Sequence, residues 1–244
     1  MLRFDERDAG EPPAVFVHAI GHGGAAAWPQ QQISLGRRLR FLYRRGFHPA
    51  DPLPYRVTFA GEVDDLLPSL DAPAHLVAHS WSGIVALLCC LRAPERVRSA
   101  VLIEPIAVTL AREEPAVASH VQAMQPAYRH GLSLPEFHRA FAEGMGFPAT
   151  PQPWSPDQRR QFELLRLHPP PWEAPLAPAD LARLTTPVLV VTAGTDALFE
   201  AIAHALARHP TVEHAVVGGG GHRPQDAPAF NALLRSWWAR VELR

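Results

Sequence analysis

Short, almost uninterrupted apolar runs punctuate the chain, and amphipathic stretches separate them. Apolar runs at 15–18, 39–43, 76–78, 100–104, 188–192 and 212–217 have the length and β-branched content of buried strands, with an edge strand expected at 2–6. Residues 62–70 and 84–91 read as helices, and Leu198, Phe199, Ile202 and Leu206 mark another helical stripe. Phe230, Leu233, Leu234, Trp237 and Val241 recur at helical spacing, which predicts one buried face of a closing helix. Near-continuous apolar strands alternating with helices predict a mostly parallel, twisted α/β sheet with helices on both faces.

One region breaks this rhythm. From Pro105 to about Thr186 no buried strand is expected, and 120–128, 134–145 and 157–167 look helical between Pro-rich pieces. The reading is a helical cap over 106–186. It lies over the carboxyl edge of a core formed by 1–105 and 187–244, where such sheets bind ligands.

Composition narrows the class. The 244 residues are 47% hydrophobic and 19% charged, enough for a substantial core. The formal charge is −1, and all 23 basic residues are arginine. Near-neutrality argues against a nucleic acid or an anionic membrane as partner, since both call for a basic field. Cys89 and Cys90 are adjacent on a predicted helix and cannot form an ordinary bridge, so they read as core residues of a reducing compartment. The N-terminus has no apolar h-region, and no apolar run reaches membrane-spanning length. The expectation is a cytoplasmic protein, with homo-oligomerisation open.

The chemistry centres on LVAHSWSG, residues 76–83. A buried strand must turn sharply into a buried helix at Ser80. Such a turn exposes the hydroxyl and puts the next backbone N–H, that of Trp81, at a helix N-terminus. It needs small residues two before and two after the serine, here Ala78 and Ser82. A serine hydroxyl also needs a base. His222 follows four glycines after a strand and is the candidate, with His79 expected to point into the scaffold. An acid must hold the imidazole tautomer. Asp196, just past the 188–192 strand, completes the order nucleophile, acid, base and is favoured. Glu104, ending the apolar run AVLIE, is the rival, because a buried carboxylate left unpaired is costly. A second oxyanion donor is expected in FVHAIGHGGAAAW at the N–H of Ile20. His18 and His22 are spaced i, i+4, but the glycines there argue against a helix, so no metal is expected.

Five pieces, VFVHAIGHGGAAAW (15–28), LVAHSWSGIVALL (76–88), PERVRSAVLIEP (94–105), PVLVVTAGTDALF (187–199) and GGGGHRPQDAPAFNALL (218–234), occur in the order and near the spacing of the α/β-hydrolase superfamily, which the chain resembles over nearly its whole length. Three departures stand out: His18–Ala19 replaces His-Gly, Ala78 and Ser82 replace the elbow glycines, and some branches place the acid after the strand that ends here at Glu104. The resemblance implies an eight-stranded type of sheet, a helical cap inserted after the sixth strand, and a cofactor-free acyl-enzyme mechanism. The substrate implied is an ester, thioester or lactone of a small, mainly apolar molecule, with Trp28, Trp81, Phe141 and Met145 lining its pocket. Carbon–carbon bond hydrolysis, cofactor-free lyase chemistry or a non-catalytic ligand receptor are the alternatives. Ser80 speaks against an epoxide hydrolase or dehalogenase, which carry a carboxylate at the elbow.

Overall fold

A computed structural model of the protein describes residues 2–33, 35–219 and 221–243. Seven strands form one sheet: β1 (Arg3–Arg7), β2 (Ala14–Val17), β3 (Leu39–Tyr43), β4 (Ala74–His79), β5 (Val97–Ile103), β6 (Val188–Thr192) and β7 (Val212–Val216), in the order β1-β3-β2-β4-β5-β6-β7. Only β1 is antiparallel to its neighbour; the other pairings are parallel. The chain leaves β2 toward β3 on one side and leaves β4 toward β5 on the other. The carboxyl ends of β2 and β4 therefore flank a topological switch point, where open α/β sheets form their ligand crevice.

The period-two alternation of a strand divides the core. Leu76, Ala78, Ala100, Leu102, Val188 and Val190 face a cluster built with α1 (Phe59–Leu66), α2 (Trp81–Arg92) and α6 (Ala197–Ala207). Val77, Val101, Ile103, Leu189 and Val191 face the other way, onto Phe230, Leu234, Trp237 and Trp238 of α7 (Pro228–Glu242). The predicted stripe of α7 is this buried face. Cys89 and Cys90 are free and fully buried in the first cluster, and burial pushes the Cys90 thiol up to about 12.

Between β5 and β6 lie α3 (Pro115–Met124), α4 (Leu134–Gly144) and α5 (Pro156–Leu167), joined by irregular Pro-rich chain with short 3-10 turns. Pro115 and Pro156 open α3 and α5 at the first helical position and Pro135 is the second residue of α4; in the first turn a missing N–H costs nothing. Ser133 with Glu136 and Ser155 with Gln158 form capping boxes that hold the starts of α4 and α5. This insertion follows the fifth strand and not the sixth. The resemblance implied an eight-stranded type of sheet, and the described residues hold seven strands. No helix of the described residues is long and apolar enough to cross a membrane.

Gly83 sits where α2 passes the end of β5. A Cβ there would come within 2.7 Å of the Pro105 Cβ and 3.2 Å of its Cα. Gly83→Ala is expected to lower unfolding free energy by about 1–3 kcal/mol, the range for overpacking a close contact. Denaturant titration checks this, and unchanged stability would mean that the two segments can separate freely.

Candidate active site

Ser80 occupies the turn between β4 and α2 with φ 56° and ψ −118°, a conformation that non-glycine residues rarely adopt. Its surroundings impose it. Ser80 N–H donates to the Ile103 carbonyl at 2.8 Å, and the Ser80 carbonyl accepts from Gly83 N–H at 2.9 Å. Ala78 and Ser82 are fully buried, so larger side chains at the two elbow positions would have no room. Ser82 keeps its hydroxyl satisfied by donating to the His18 carbonyl at 2.5 Å. That bond ties the first turn of α2 to the loop after β2.

His222 meets this serine from the loop after β7. Gly219 and Gly221 take positive φ (99° and 53°), which lets the loop fold back over the sheet edge; Gly220 between them lies outside the described residues. His222 Nε2 lies 3.2 Å from Ser80 Oγ, and its Nδ1 lies 2.6 Å from Glu104 Oε2. A carboxylate only accepts, so Nδ1 carries the proton and Nε2 presents its lone pair to the serine hydroxyl. Glu104 is 1% exposed. Its other oxygen, Oε1, accepts from Ala193 N–H at 2.9 Å.

The imidazole is also held from its faces and its backbone. Phe199 of α6 stacks on it at 4.7 Å, and the His79 ring lies 4.9 Å away. His79 Nε2–H donates to the His222 carbonyl at 2.8 Å. Burial holds His79 well below its ordinary range, so it stays neutral and its charge does not oppose protonation of His222. The oxyanion candidates flank the same crevice. Trp81 N–H is the first of α2 and has no helical acceptor. The Ala19 carbonyl accepts from His18 Nδ1–H at 2.7 Å and from Arg44 Nη1 at 3.1 Å, which turns the following Ile20 N–H the opposite way.

The model of the alpha/beta hydrolase family matches residues 14–232. The chain belongs to this family. No curated protein matches it in sequence. Solved structures share its fold at low identity. An esterase from Thermogutta terrifontis is 19% identical with a TM-score of 0.67, covering 98% of this chain and 93% of that one. The haloalkane dehalogenase DatA from Agrobacterium tumefaciens is 18% identical with a TM-score of 0.69, over 97% and 91% of the two chains. A carboxylesterase of Nitrososphaera gargenis is 19% identical with a TM-score of 0.68, over 99% and 95%.

Within this hydrolase fold one expected residue sits elsewhere. Asp196, the favoured acid, is not the partner of His222. It is exposed and caps α6, with Oδ1 accepting from Leu198 N–H at 2.9 Å. Chain order pointed to it, but proximity belongs to Glu104, whose strand is the direct neighbour of β4. Trp28 is 1% exposed and meets Phe16 edge-on at 5.1 Å, with its rim on a cavity shared with Ile20, His79 and Arg223. Phe141 and Met145 are half-buried on the insertion, where Phe141 joins a small core of Leu134, Phe137 and Leu165. The side chain of Ile20 packs against that same core. His18 has no nitrogen left for a metal, since Nε2 accepts from Arg44 N–H at 3.1 Å. Sequence reasoning passed over Arg44 and His168. The only trace of Arg44 was an arginine closing an apolar strand, and it is fully buried.

Among the described residues, Glu200, His204 and His214 bring ligand-type atoms within 4.8 Å of one another. His214 Nε2 is already bonded to Thr192 Oγ1 at 2.8 Å and stands 3.9 Å from Glu200 Oε2. The cluster is thus a polar contact between α6 and β7.

The buried imidazoles make stability pH-dependent. Burial lowers His18 to about 3 and His75 to about 4, and it holds His79 and His168 well below 6.5. Folded values below the unfolded one mean that the unfolded chain binds more protons as pH drops. Their stability contribution is full above about pH 6.5 and declines as pH falls toward the folded values. Each such histidine is expected to remove about 1.4 kcal/mol per pH unit in that window. Denaturant titrations at pH 7, 6 and 5 should show a steep decline; a flat profile would mean that these imidazoles take up protons in the folded state.

Proposed function

We propose that this alpha/beta hydrolase is a serine hydrolase that cleaves an ester, thioester or lactone of a small, mainly apolar molecule through an acyl-enzyme. The observation that carries this reading is the unbroken chain Ser80 Oγ, His222, Glu104, at 3.2 and 2.6 Å. His222 Nε2 takes the serine proton as Oγ attacks the carbonyl carbon. The carbonyl oxygen gains negative charge, received by the N–H groups of Trp81 and Ile20, each worth roughly 3 kcal/mol in such sites. Collapse of the tetrahedral species expels the leaving group, which takes its proton from His222. Water then repeats the sequence on the acyl-serine, with His222 again as base. Glu104 stays ionised and holds Nδ1–H throughout, lowering the energy of the imidazolium.

Residues 106–186 act as the cap in this reading and 1–105 with 187–244 as the core. The half-buried Phe141 and Met145 suit an apolar acyl group on the cap side, and Trp28 suits its core-side wall. The hydroxyl at the elbow separates this chemistry from dehalogenation, which normally calls for a carboxylate at that position.

A fluorophosphonate probe and a panel of p-nitrophenyl esters test the reading. Labelling at Ser80 with turnover is expected, and Ser80→Ala and His222→Ala should each abolish both. Substantial turnover in either variant would defeat the assignment, while labelling without turnover on any ester would favour a receptor. Glu104→Gln should lower kcat by about 10³–10⁴, the cost of losing the charged acceptor behind such a histidine. Asp196→Asn keeps a competent helix cap and should stay within about threefold of wild type. The reverse ranking would return the acid to Asp196.

A further inference from the structure

Behind the oxyanion loop lies a buried cation that the proposed chemistry does not use. Arg44 directly follows β3, and its side chain is 0% exposed. A guanidinium removed from water is costly unless its donors are satisfied. Here each arm finds an acceptor. Nε donates to Glu62 Oε2 of α1 at 2.8 Å, and Nη1 donates to the Ala19 carbonyl at 3.1 Å. Nη2 donates to His168 Nε2, a nitrogen free to accept because Nδ1–H of that ring donates to the Leu164 carbonyl at 2.7 Å. The guanidinium also lies 4.7 Å over the Trp81 ring.

Two of these partners belong to the oxyanion candidates. The Ala19 carbonyl is the opposite end of the peptide whose N–H is that of Ile20. In a trans peptide these two groups point in opposite directions, so fixing the oxygen aims the N–H. Arg44 fixes it twice. It donates to the oxygen directly, and its own backbone N–H occupies His18 Nε2 at 3.1 Å, which forces the His18 proton onto Nδ1 and so onto the same oxygen. Trp81 is the other donor residue. Its ring is clamped between Arg44 and Phe59, with the Phe59 ring stacked at 4.9 Å.

The remaining contacts reach the insertion. His168 follows α5, and Trp81 Nε1–H donates to the neighbouring Pro169 carbonyl at 3.3 Å. We propose that Arg44 is a positioning residue that aims both oxyanion donors and links their geometry to the seating of the 106–186 segment. It touches no substrate. A lysine could keep the charge beside Glu62, but a single ammonium cannot reproduce the planar fork that spans three acceptors. The proposal rests on the serine-hydrolase reading.

The test compares wild type with Arg44→Lys and Arg44→Met on a p-nitrophenyl ester. It adds two inhibitors of the same carbon skeleton. A trifluoromethyl ketone adds to Ser80 Oγ and puts a negative oxygen in the hole; the matching alcohol fills the acyl site without one. Removing one donor outright costs about 10²–10³ in kcat, so misaiming donors should cost about ten- to a hundredfold, with KM within about threefold. The ketone should weaken by a similar factor and the alcohol should not. A purely structural role would lower the unfolding midpoint while leaving kcat per folded molecule and the ketone-to-alcohol affinity ratio unchanged, and that result overturns the proposal. Should the Arg44 variants fail to fold, His168→Phe removes the acceptor on the insertion while Arg44 keeps Ala19 and Glu62. It should lower kcat and the affinity ratio together by about three- to tenfold, and an unchanged ratio again overturns it. A wild-type protein that neither turns over esters nor binds the ketone would defeat the hydrolase reading along with it; active wild type with unaffected variants would defeat this inference alone.

Discussion

The 2.6 Å hydrogen bond between Glu104 and His222 is the constraint from which the rest of the site follows. It sits at the end of a parallel strand pair. In the register of β4 with β5, His79 is level with Ile103, so Ser80 and Glu104 are each the next residue beyond the pairing. Neighbouring strands lie about 4.8 Å apart, a gap that one imidazole can bridge with a hydrogen bond at each end. The carboxylate, 1% exposed, tolerates burial because it accepts from Ala193 N–H as well as from the ring. That arrangement leaves a single lone pair, on Nε2, directed at the hydroxyl.

Both residues hold this height at a conformational cost. Ser80 has φ 56° and Glu104 has φ 41°, each a non-glycine residue in a sparsely populated region that costs on the order of 1–3 kcal/mol. The backbone around them compensates with regular hydrogen bonds: Ser80 N–H to Ile103 and Glu104 N–H to Val191, each at 2.8 Å. The turns are thus extensions of the sheet ladder, and the stiffness of the sheet is passed directly to the two side chains. Small residues at 78, 82 and 83 leave space for the sharp bend, and the one hydroxyl among them is tied to the His18 carbonyl.

The other side of the crevice is built on different physics. The loop after β2 has no ladder to hold it, so its carbonyls are fixed one at a time, His18 by Ser82 and Ala19 by Arg44 and His18. Arg44 in turn contacts α1, the elbow helix and the insertion. A buried charge with partners on four segments cannot be satisfied when one of them moves away. Rigidity on this side depends on the insertion being seated, whereas on the β4–β5 side it does not.

The chain itself determined the class of fold and pointed to Ser80 and His222 as the proposed nucleophile and base. Those rest on local physics: strand and helix periods, a sharp strand-to-helix turn flanked by small residues, and a histidine after a flexible glycine run. The seven strands were all legible for that reason. The carboxylate partner of His222 was not, because Asp196 and Glu104 both follow apolar strands and only the strand order, which no local period encodes, puts Glu104 beside Ser80. The same holds for Arg44 and His168, 124 positions apart, which read singly as an ordinary arginine and an ordinary histidine. Pairings between distant segments are decided by how the sheet is ordered and how the insertion settles on it, so tertiary structure alone selected the carboxylate and assembled the buried cation network behind the crevice.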